Sequence, residues 1–401
     1  MVSGKMTASE AADAISRLSA EATSRSLGPS EGRRDAAART RSGIMPPSPP
    51  ARRSRAPSSS AGRRRAPGAV SSSVMLDPVE STGRPGRSVH RPTGAEPVRI
   101  VVAVCTYRRN EPLRRLLAAV ERNAAELGDR AHVGVVVVDD NPDERARAVC
   151  DEAAHRFELG LTYRTSGQGN ISVARNLALE GALPLADWVA MTDDDCEPVD
   201  TWLSEHLAAQ ERYGTDVVTG PCLLGGSEGA PAWLSEQPFL DDAQFRFDDG
   251  QRLDVAATNN SFIRAASLRE RTDLRFDPGL GVLGGEDMVF FRTARRAGLT
   301  IAFAARAIVH GHEPPERWTY RYQLRSRYWL GNTEFVTNHT VGEAPRLRWA
   351  LRGAKTILTA VVRPLARVAS GRPPHVRYAL ATAARGAGMV AGAAGVRVAH
   401  H

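Results

Sequence analysis

The residues with the clearest chemical potential are three consecutive aspartates, 193–195, which follow the apolar segment 188–192. Side chains of an extended chain alternate between two sides, so Asp193 and Asp195 are predicted to face one point. Converging carboxylates repel each other unless a cation lies between them, and Mg²⁺ or Mn²⁺ binds carboxylate oxygens together with substrate phosphate oxygens. Acidic loops are common, but the place of this triplet after a predicted buried strand favours a cation site.

A second candidate is Asp287, in the segment Gly284-Gly285-Glu286-Asp287 that precedes the apolar residues 288–291. The glycines and the apolar run predict a loop that enters a helix. A carboxylate at that point can cap the helix, which stabilises it by about 1 kcal/mol. It can also take a proton from an attacking hydroxyl. The local sequence leaves both interpretations open.

Histidines and tryptophans supply weaker candidates. His310 and His312 flank a glycine after the strand-like residues 301–303. They could complete a metal site or bind phosphate, although a histidine is more often structural. Trp202 lies in the predicted helix after the aspartates and is expected in the core. Trp233 lies in a predicted loop, where its ring could pack against a sugar.

These residues need a scaffold, and the middle of the chain predicts an α/β one. Short apolar, β-branched runs at 99–105 and 133–138 are typical of strands that are buried on both faces. Apolar spacing predicts a helix that begins near Pro112, and further helices are predicted over 143–156 and 172–182. This alternation predicts a mostly parallel sheet with helices on both faces.

Polar residues follow three of the predicted strands. Residues 106–109 follow the first strand, residues 139–140 follow the second, and residues 193–195 follow the strand at 188–192. Ligands bind outside the carboxyl ends of parallel strands. We therefore expect one site at this edge of the sheet, built from three separate segments.

The charge distribution separates this middle region from two basic ends. The 401 residues carry a net charge of +8, which by itself suggests a nucleic-acid partner. Residues 1–97, however, hold 16 basic and 8 acidic side chains, and residues 314–401 hold 14 and 3, so the middle is acidic. An acidic folded region argues against nucleic-acid recognition, and no specific nucleic-acid partner is expected.

The two ends of the chain differ in composition. Residues 1–97 are rich in Ser, Ala, Pro, Gly and Arg, which predicts a disordered tail, either a solvated segment or a tether to nucleic acid or anionic lipid. Residues 346–368 mix apolar and basic side chains, and 379–398 is small and apolar. Pro364 and Arg385 interrupt these segments, neither of which should span a bilayer. They are either ordinary packing helices or interfacial helices that contact anionic lipid.

Cysteine usage and the N-terminus bear on the compartment. The four cysteines lack CxxC spacing and indicate neither a disulfide framework nor a zinc site. The N-terminus lacks the pattern of a secretory signal. We therefore expect a cytoplasmic protein, with peripheral contact at the inner membrane face through 346–398 as a further hypothesis.

The ordered motifs resemble those of the family 2 glycosyltransferases. The matching string is AVCTYRR…VVVVDDNP…GNISVARNLAL…WVAMTDDDCEP…WL…TGP…TNNSFIR…GGEDMVFF. It is most similar to the branch that includes the succinoglycan biosynthesis transferases. The resemblance implies a GT-A fold, in which a Rossmann-like nucleotide-binding half and an acceptor half share one mixed, mostly parallel sheet. The match covers roughly residues 98–330, the expected transferase domain, and leaves the tail over 1–97 and a basic helical extension over 331–401.

The resemblance also implies a role for each motif. The residues expected to bind the nucleotide sugar lie after the strands, in the ARN segment and inside the two acidic motifs: Thr106, Tyr107, Arg108, Asp139 or Asp140, Asn170, Arg175, Asp194 and Glu286. A divalent cation, Mg²⁺ or Mn²⁺, is expected on Asp193 and Asp195, with His312 as a further candidate ligand. The catalytic base is expected to be Asp287.

One motif of the family departs from its usual form. Some family 2 enzymes carry a Q-x-x-R-W motif, whereas the corresponding residues are spaced differently here: Gln323, Arg325, Arg327 and Trp329. A processive polymer synthase is therefore not expected.

The activity that the resemblance implies is inverting transfer of a sugar from a nucleotide-sugar donor to a hydroxyl of a glycan or lipid-linked acceptor, in bacterial polysaccharide or glycoconjugate assembly. Two other classes of protein fit the residues less well. A sugar nucleotidyltransferase usually opens with a Gly-rich loop bearing Arg and Lys, whereas CTYRRNEP contains neither glycine nor lysine. A nucleic-acid-binding protein would carry its basic charge on the folded region.

Overall fold

The computed structural model describes residues 96–225, 229–239, 247–342 and 345–399, so the predicted tail lies outside it except for its last two positions. The strands are β1 (Val98–Thr106), β2 (Ala131–Asp139), β3 (Leu161–Thr165), β4 (Trp188–Asp193), β5 (Cys196–Pro198), β6 (Val217–Thr219), β7 (Cys222–Gly225), β8 (Arg252–Leu253), β9 (Asn260–Arg264), β10 (Ile301–Phe303) and β11 (Val309–His312). The α-helices are α1 (Asn110–Leu127), α2 (Arg147–Ala153), α3 (Ile171–Ala182), α4 (Trp202–Tyr213), α5 (Ala232–Glu236), α6 (Ala265–Arg269), α7 (Glu286–Arg296), α8 (Tyr320–Thr340), α9 (Arg346–Ala369) and α10 (Val376–Ala393).

Most strands belong to one mixed sheet, in the order β3-β2-β1-β4-β9-β6-β10-β8. Strands β3, β2, β1 and β4 pair in parallel, β9 is antiparallel to both of its neighbours, and β10 pairs in parallel with β6. The short β8 is antiparallel to β10. A smaller sheet has the order β5-β11-β7. The predicted mixed, mostly parallel sheet is confirmed, and its parallel half carries the strand-end motifs.

The central strands are buried on both faces, as their β-branched composition predicted. Along β1, Ile100, Val102 and Val104 contribute to one hydrophobic core, while Val101 and Ala103 contribute to the other. Helix α1 covers the first face, and α3 and α7 cover the second. Because burial of each large apolar side chain is worth about 1.5–3 kcal/mol, these two cores hold the strand ends in fixed register.

One buried asparagine ties the second half of the sheet to its surroundings. Asn260 on β9 accepts hydrogen bonds at Oδ1 from Trp202 Nε1 and His206 Nε2, each at 2.8 Å. Its amide donates to the carbonyl oxygens of Pro221 at 2.9 Å and Ala307 at 2.7 Å. Burial lowers the pKa of His206 to about 4, so the neutral imidazole donates through Nε2–H. The expected core position of Trp202 is confirmed.

The C-terminal helices approach one another closely at glycines. A Cβ atom at Gly331 of α8 would lie 1.9 Å from the carbonyl oxygen of Arg385, and one at Gly388 of α10 would lie 1.9 Å from the carbonyl oxygen of Tyr328. Such contacts between backbones exclude any side chain. They explain the small, apolar composition of 379–398. The boundary placed between 330 and 331 falls within α8, and the domain division stays a prediction.

The two expected interruptions do not break these helices. Helix α9 continues through Pro364. Proline removes one backbone hydrogen bond, and the buried residues Trp349 and Ala360 hold the helix in place by packing. Arg385 lies inside α10 because its charge is paired with buried Glu334 of α8. Among the helices that the structure describes, none is sufficiently long and apolar to cross a membrane.

We predict that Arg385→Met lowers the free energy of unfolding by about 3–5 kcal/mol, because it leaves Glu334 buried without its cationic partner. Urea denaturation followed by circular dichroism measures the loss. The matched control is Arg147→Met, since Arg147 and Glu144 form a pair whose side chains are 52% and 43% exposed. An exposed pair is worth at most about 1 kcal/mol. Equally small losses in both variants would show that the buried pair does not hold α8 to α10.

Candidate active site

The parallel register brings the ends of neighbouring strands together. Thr106 on β1 pairs with Asp139 on β2, and Cys105 on β1 pairs with Asp193 on β4. Because these strands run in the same direction, their carboxyl ends lie at one edge of the sheet. The polar segments that follow β1, β2 and β4 therefore meet, as their positions after the strands predicted.

The three aspartates after β4 divide between the open edge and the interior. The side chains of Asp193 and Asp195 are 39% and 21% exposed, whereas that of Asp194 is 6% exposed. Thr106 Oγ1 donates to Asp194 Oδ2 at 2.8 Å. Burial raises the pKa of Asp194 to about 6, although Arg109 opposes the shift. Asp193 and Asp195 thus face outward, as the alternation of an extended chain predicts, and Asp194 anchors the segment to β1.

Arg109 is a site residue that the sequence motifs did not single out. Its Nη1 donates to Asp194 Oδ1 at 3.0 Å and to Asp195 Oδ2 at 2.7 Å. The position of Arg109 in the polar turn after β1 could have indicated this role. A carboxylate cluster predicted at the same edge of the sheet needs a cationic partner. Arg109 holds the aspartate segment to the turn that follows β1.

Arg175 is buried and joins the two acidic motifs. It donates to Asp193 Oδ1 through Nη2 at 3.1 Å and to Glu286 Oε1 through Nη1. The ring of Phe276 lies 5.8 Å from its guanidinium carbon. Burial alone would lower the pKa of Arg175, but the carboxylates of Asp193, Glu286 and Asp287 raise it above its ordinary value. The permanently charged arginine therefore sets the spacing between the D-x-D and GGED segments.

The GGED loop requires both of its glycines. Gly284 and Gly285 have φ values of +82° and +84°, in the left-handed region that favours glycine. A Cβ atom at Gly284 would lie 2.3 Å from Trp329 Cζ2, and one at Gly285 would lie 2.2 Å from Thr337 Cγ2. Both neighbours belong to α8, so this C-terminal helix packs directly against the loop that begins α7.

Asp287 lies half-buried in the first turn of α7, next to Glu286. Its Oδ1 accepts a hydrogen bond from the backbone N–H of Met288 at 2.7 Å. Burial and the charge of Glu286 raise the pKa of Asp287 to about 7, with Arg175 opposing the shift. A pKa near neutrality suits a group that accepts a proton at physiological pH, whereas a helix cap needs no such shift. The role of Asp287 as general base stays a prediction.

Asp139 and Asp140 differ in how many of their carboxylate oxygens accept hydrogen bonds within the protein. Asp139 is buried, and its two carboxylate oxygens accept from the backbone N–H groups of Asn141 and Ala146, each at 2.9 Å, and from the Tyr163 hydroxyl at 3.0 Å. Asp140 accepts from the loop after β3 through Oδ1 alone. Asp139 therefore holds the turn after β2, while Asp140 Oδ2 takes part in none of these bonds.

The other nucleotide-sugar candidates lie around the same edge. Tyr107 is 45% exposed, and its ring centre lies 5.1 Å from the guanidinium carbon of Arg108. Arg108 has a left-handed backbone with φ +56°, which is uncommon for a residue other than glycine. Asn170 is the N-cap of α3 and accepts from two backbone N–H groups of that helix at 3.1 and 3.2 Å. Capping already accounts for an asparagine at position 170.

The two histidines lie on β11. His312 Nε2 is 3.1 Å from Glu197 Oε2, and the backbone N–H of His312 donates to the carbonyl oxygen of Asp195 at 2.9 Å. Burial lowers the pKa of His310. Within the described ranges, no group of three or more His, Cys, Asp and Glu side chains is arranged to hold a metal ion. His312 thus adjoins the D-x-D segment through its backbone, while its imidazole contacts Glu197.

Trp233 lies in the short helix α5 and not in a loop. Its ring makes edge-to-face contacts with Phe239 and Tyr320, at centroid distances of 5.1 and 5.7 Å. The guanidinium carbon of Arg377 lies 5.2 Å from the ring centre. The ring therefore belongs to an aromatic cluster beside the C-terminal helices.

A parallel half-sheet whose strand ends carry clustered carboxylates and arginines is typical of α/β enzymes that bind nucleotides. Residues 101–271 match the family described as Glycosyl transferase family 2. Over 306 residues the chain is 31% identical to the succinoglycan biosynthesis protein ExoM of Rhizobium meliloti (strain 1021), which covers 75% of this chain and 95% of that protein. The chain therefore belongs to glycosyltransferase family 2, and the predicted class of enzyme is confirmed.

Two solved structures show a more distant likeness. TarS 1-349 of S. aureus in complex with UDP has a TM-score of 0.42 and 17% identity, over 73% of this chain and 90% of that chain. GalNAc-T7 with UDP, GalNAc and Mn²⁺ has a TM-score of 0.41 and 16% identity, over 60% of this chain and 51% of that chain. The family assignment rests on the sequence matches and not on these scores.

We predict that Asn170→Ala lowers the free energy of unfolding by about 1 kcal/mol, the usual worth of an N-cap. Asn170→Ser retains an oxygen that can cap α3 and should keep most of that stability. Thermal denaturation of both variants, together with nucleotide-sugar affinity by calorimetry, separates the two roles of this residue. A serine variant that is stable but has lost donor affinity would show that Asn170 contacts the donor.

Proposed function

We propose that this enzyme transfers a sugar from a nucleotide-linked donor to an acceptor hydroxyl, with inversion at the anomeric carbon. The observation that carries the proposal is Arg175, which bonds to Asp193 on one side and Glu286 on the other. This arginine places the D-x-D segment and the GGED segment in one charge network. Inverting transfer needs such an arrangement, because the leaving diphosphate and the base act on one sugar in one step.

Asp287 is the proposed general base. Its carboxylate takes the proton of the acceptor hydroxyl, whose oxygen attacks the anomeric carbon as the bond from that carbon to the diphosphate breaks. The nucleoside diphosphate leaves with the electron pair of that bond. A single displacement inverts the configuration and forms no covalent bond to the protein. With a pKa of about 7, Asp287 is basic enough to accept the proton and is partly ionised at neutral pH.

The carboxylates of the D-x-D segment suit a divalent cation. Arg175 engages only Oδ1 of Asp193, and Arg109 engages only Oδ2 of Asp195. Each carboxylate thus has one oxygen outside these pairs, and Mg²⁺ and Mn²⁺ prefer such oxygen ligands together with phosphate oxygens. Asp193 and Asp195 would hold the cation, and His312 would join them only by exchanging its contact with Glu197. When bound, the cation neutralises charge on the departing diphosphate.

The turn after β1 is the proposed nucleotide site. Tyr107 offers an exposed aromatic ring on which a base can stack. Arg108 is held beside it by a hydrogen bond from Nε to Asn141 Oδ1 at 3.2 Å. Asp140, with one carboxylate oxygen outside its internal bonds, is the better candidate for the ribose, since the oxygens of Asp139 hold the turn.

The acceptor is proposed to approach from α8. A cavity of about 600 Å³ is lined by residues of this helix and of the C-terminal segment, among them Tyr322, Arg325 and Val398. Trp329, which also lines the cavity, donates from Nε1 to the carbonyl oxygen of Leu283 at 2.7 Å, next to the GGED loop. Trp329 thus connects the wall of this cavity to the loop that precedes Asp287.

The name of the succinoglycan relative favours a role in polysaccharide or glycoconjugate assembly. A glycan or lipid-linked acceptor would fit such a role. We place the enzyme in the cytoplasm, with peripheral contact at the inner membrane face through 346–398. A sugar nucleotidyltransferase is disfavoured, because no Gly-rich loop follows β1 and the family match is to glycosyltransferases, which transfer the sugar and not the nucleotide.

We predict that Asp193→Ala and Asp195→Ala each weaken Mn²⁺-dependent donor binding at least about tenfold, because each removes a ligand of the cation. The donor is first identified by release of nucleoside diphosphate from UDP-, GDP- and dTDP-sugars, and its affinity is then measured by calorimetry with and without Mn²⁺. Asp200→Ala is the matched control, since Asp200 pairs with Arg122 and is 64% exposed. Unchanged donor affinity in both site variants would overturn the cation site.

We predict that Asp287→Asn keeps donor affinity but lowers transfer at least about 10²-fold, the scale expected for loss of a general base. The pKa of about 7 implies that the ionised form of Asp287 predominates only at higher pH. Turnover of the unaltered enzyme should therefore rise as the pH passes upward through about 7. The asparagine variant should lack this rise. Near-normal turnover in the variant, with the same pH profile, would show that Asp287 acts only at the helix terminus.

A further inference from the structure

One face of α9 is apolar and points into solvent. Its large side chains recur at helical spacing and are 51–73% exposed: Leu347, Leu351, Leu358, Val361, Val362, Leu365 and Val368. We call these residues the apolar stripe. Scattered exposed leucines are ordinary on a protein surface, but a continuous stripe along a whole helix marks an interaction surface.

The stripe is not needed to hold α9 in the fold. The helix packs through another face, where Trp349, Gly353 and Ala360 are buried. The ring of Trp349 contacts that of Phe335 in α8 at a centroid distance of 6.3 Å. A Cβ atom at Gly353 would lie 2.6 Å from the carbonyl oxygen of Gly386 in α10. With α9 anchored in this way, the apolar stripe remains available to a partner.

Basic residues border the apolar stripe on one side. Arg348 and Arg352 directly follow two leucines of the stripe, and Lys355 lies one turn further along the same border. All three are exposed. From Pro345 onward the sequence contains ten Arg and Lys residues and no Asp or Glu. Buried Arg385 of α10 pairs with Glu334 of α8, away from this border. The border of the stripe is therefore a cationic surface.

We propose that this face of α9 docks on the surface of an anionic lipid bilayer. The apolar stripe would enter the boundary between headgroups and acyl chains, and Arg348, Arg352 and Lys355 would contact lipid phosphates. Charge complementarity selects this partner. Residues 1–97 carry excess positive charge, as does the border itself, and a second copy of α9 would bring two basic borders together.

This proposal deepens the proposed function by giving the enzyme a place of work. Only the benefit of docking, which is access to the acceptor, rests on the proposed function. An enzyme docked through α9 would work at the surface where a lipid-linked acceptor resides. Docking itself needs neither donor nor turnover. Failure of docking can therefore be distinguished from failure of the glycosyltransferase mechanism.

Flotation of the full chain with vesicles tests the proposal. One vesicle preparation is phosphatidylcholine alone, and the other is an equimolar mixture of phosphatidylcholine and phosphatidylglycerol. We expect binding to the anionic vesicles, little binding to the neutral ones, and weaker binding as salt concentration rises. Asp287→Asn should float like the unaltered chain. No flotation on anionic vesicles at low salt, or equal flotation on both preparations, would overturn the proposal.

Leu358→Glu tests the apolar stripe. This substitution places a charge where an apolar side chain should enter the bilayer, and we expect at least about tenfold weaker vesicle binding. Leu185→Glu is the matched control, because Leu185 is also exposed but follows α3 in the transferase region. Release of nucleoside diphosphate from the donor should be retained in both variants, which shows that they fold. Equal vesicle binding by the two variants would contradict docking through α9.

Replacement of Arg348, Arg352 and Lys355 by Gln tests the basic border. Each basic residue near an anionic surface contributes to binding, and we expect about a fivefold loss in vesicle affinity for each charge removed.

A second copy of the chain is the other possible partner of the apolar stripe. Light scattering of the full chain tests for such a dimer. A dimer that Leu358→Glu converts to monomer, together with unchanged binding after removal of the three charges, would assign the stripe to self-association and overturn the proposal.

Discussion

The geometry of the candidate active site depends on the buried ion pairs of Arg175. Removing a guanidinium from water is costly, and the surrounding carboxylates offset that cost only when they lie at hydrogen-bonding distance. Asp193 and Glu286 come from segments far apart in the chain, and the arginine on α3 holds both. Burial and the neighbouring carboxylate of Glu286 raise the pKa of Asp287, while Arg175 opposes that shift. One buried cation thus sets the position of the D-x-D segment relative to the GGED segment.

A second constraint comes from α8, which connects the site to the C-terminal helices. Trp329 and Thr337 of this helix pack against the glycines of the GGED loop so closely that no side chain fits there. The opposite contacts of α8 are also made at glycines, against α10. A change in the packing of α10 would therefore reach the loop of Asp287 through two rigid, close contacts. The helices of the C-terminal extension support the proposed catalytic base as well as presenting the apolar stripe.

Some polar side chains of this site stabilise the fold, and others are proposed to bind a ligand. The hydrogen bonds that each side chain makes within the protein distinguish the two groups. Asp139 and Asn170 satisfy backbone N–H groups, which accounts for them without a ligand. Asp194 is buried beneath its two neighbours and attaches them to β1. Asp193, Asp195 and Asp140 each keep a carboxylate oxygen outside the internal bonds. Those oxygens are the ones that we propose for a cation or a ribose.

Local pattern was sufficient to predict the parallel half-sheet, its buried strands and the edge at which the motifs meet. These features follow from alternation, β-branched runs and the direction of parallel strands, all of which are encoded over short stretches. The order of the motifs likewise indicated the glycosyltransferase family. The continuity of α9 and α10 could not be predicted in this way. Pro364 and Arg385 break local rules, and only packing at Trp349 and the distant partner Glu334 compensate for them.

The sequence by itself determined which residue types reach the strand ends, and the tertiary structure decided what each of them does there. Arg109 pairs with Asp194 across 85 positions of chain, and Arg175 pairs with Glu286 across 111. No local spacing encodes such pairs. The pKa of Asp287 likewise depends on burial and on neighbours that the fold supplies. The division of α9 into a packing face and an exposed apolar stripe was decided in the same way, because a periodic pattern shows that a helix has an apolar side but not what covers it.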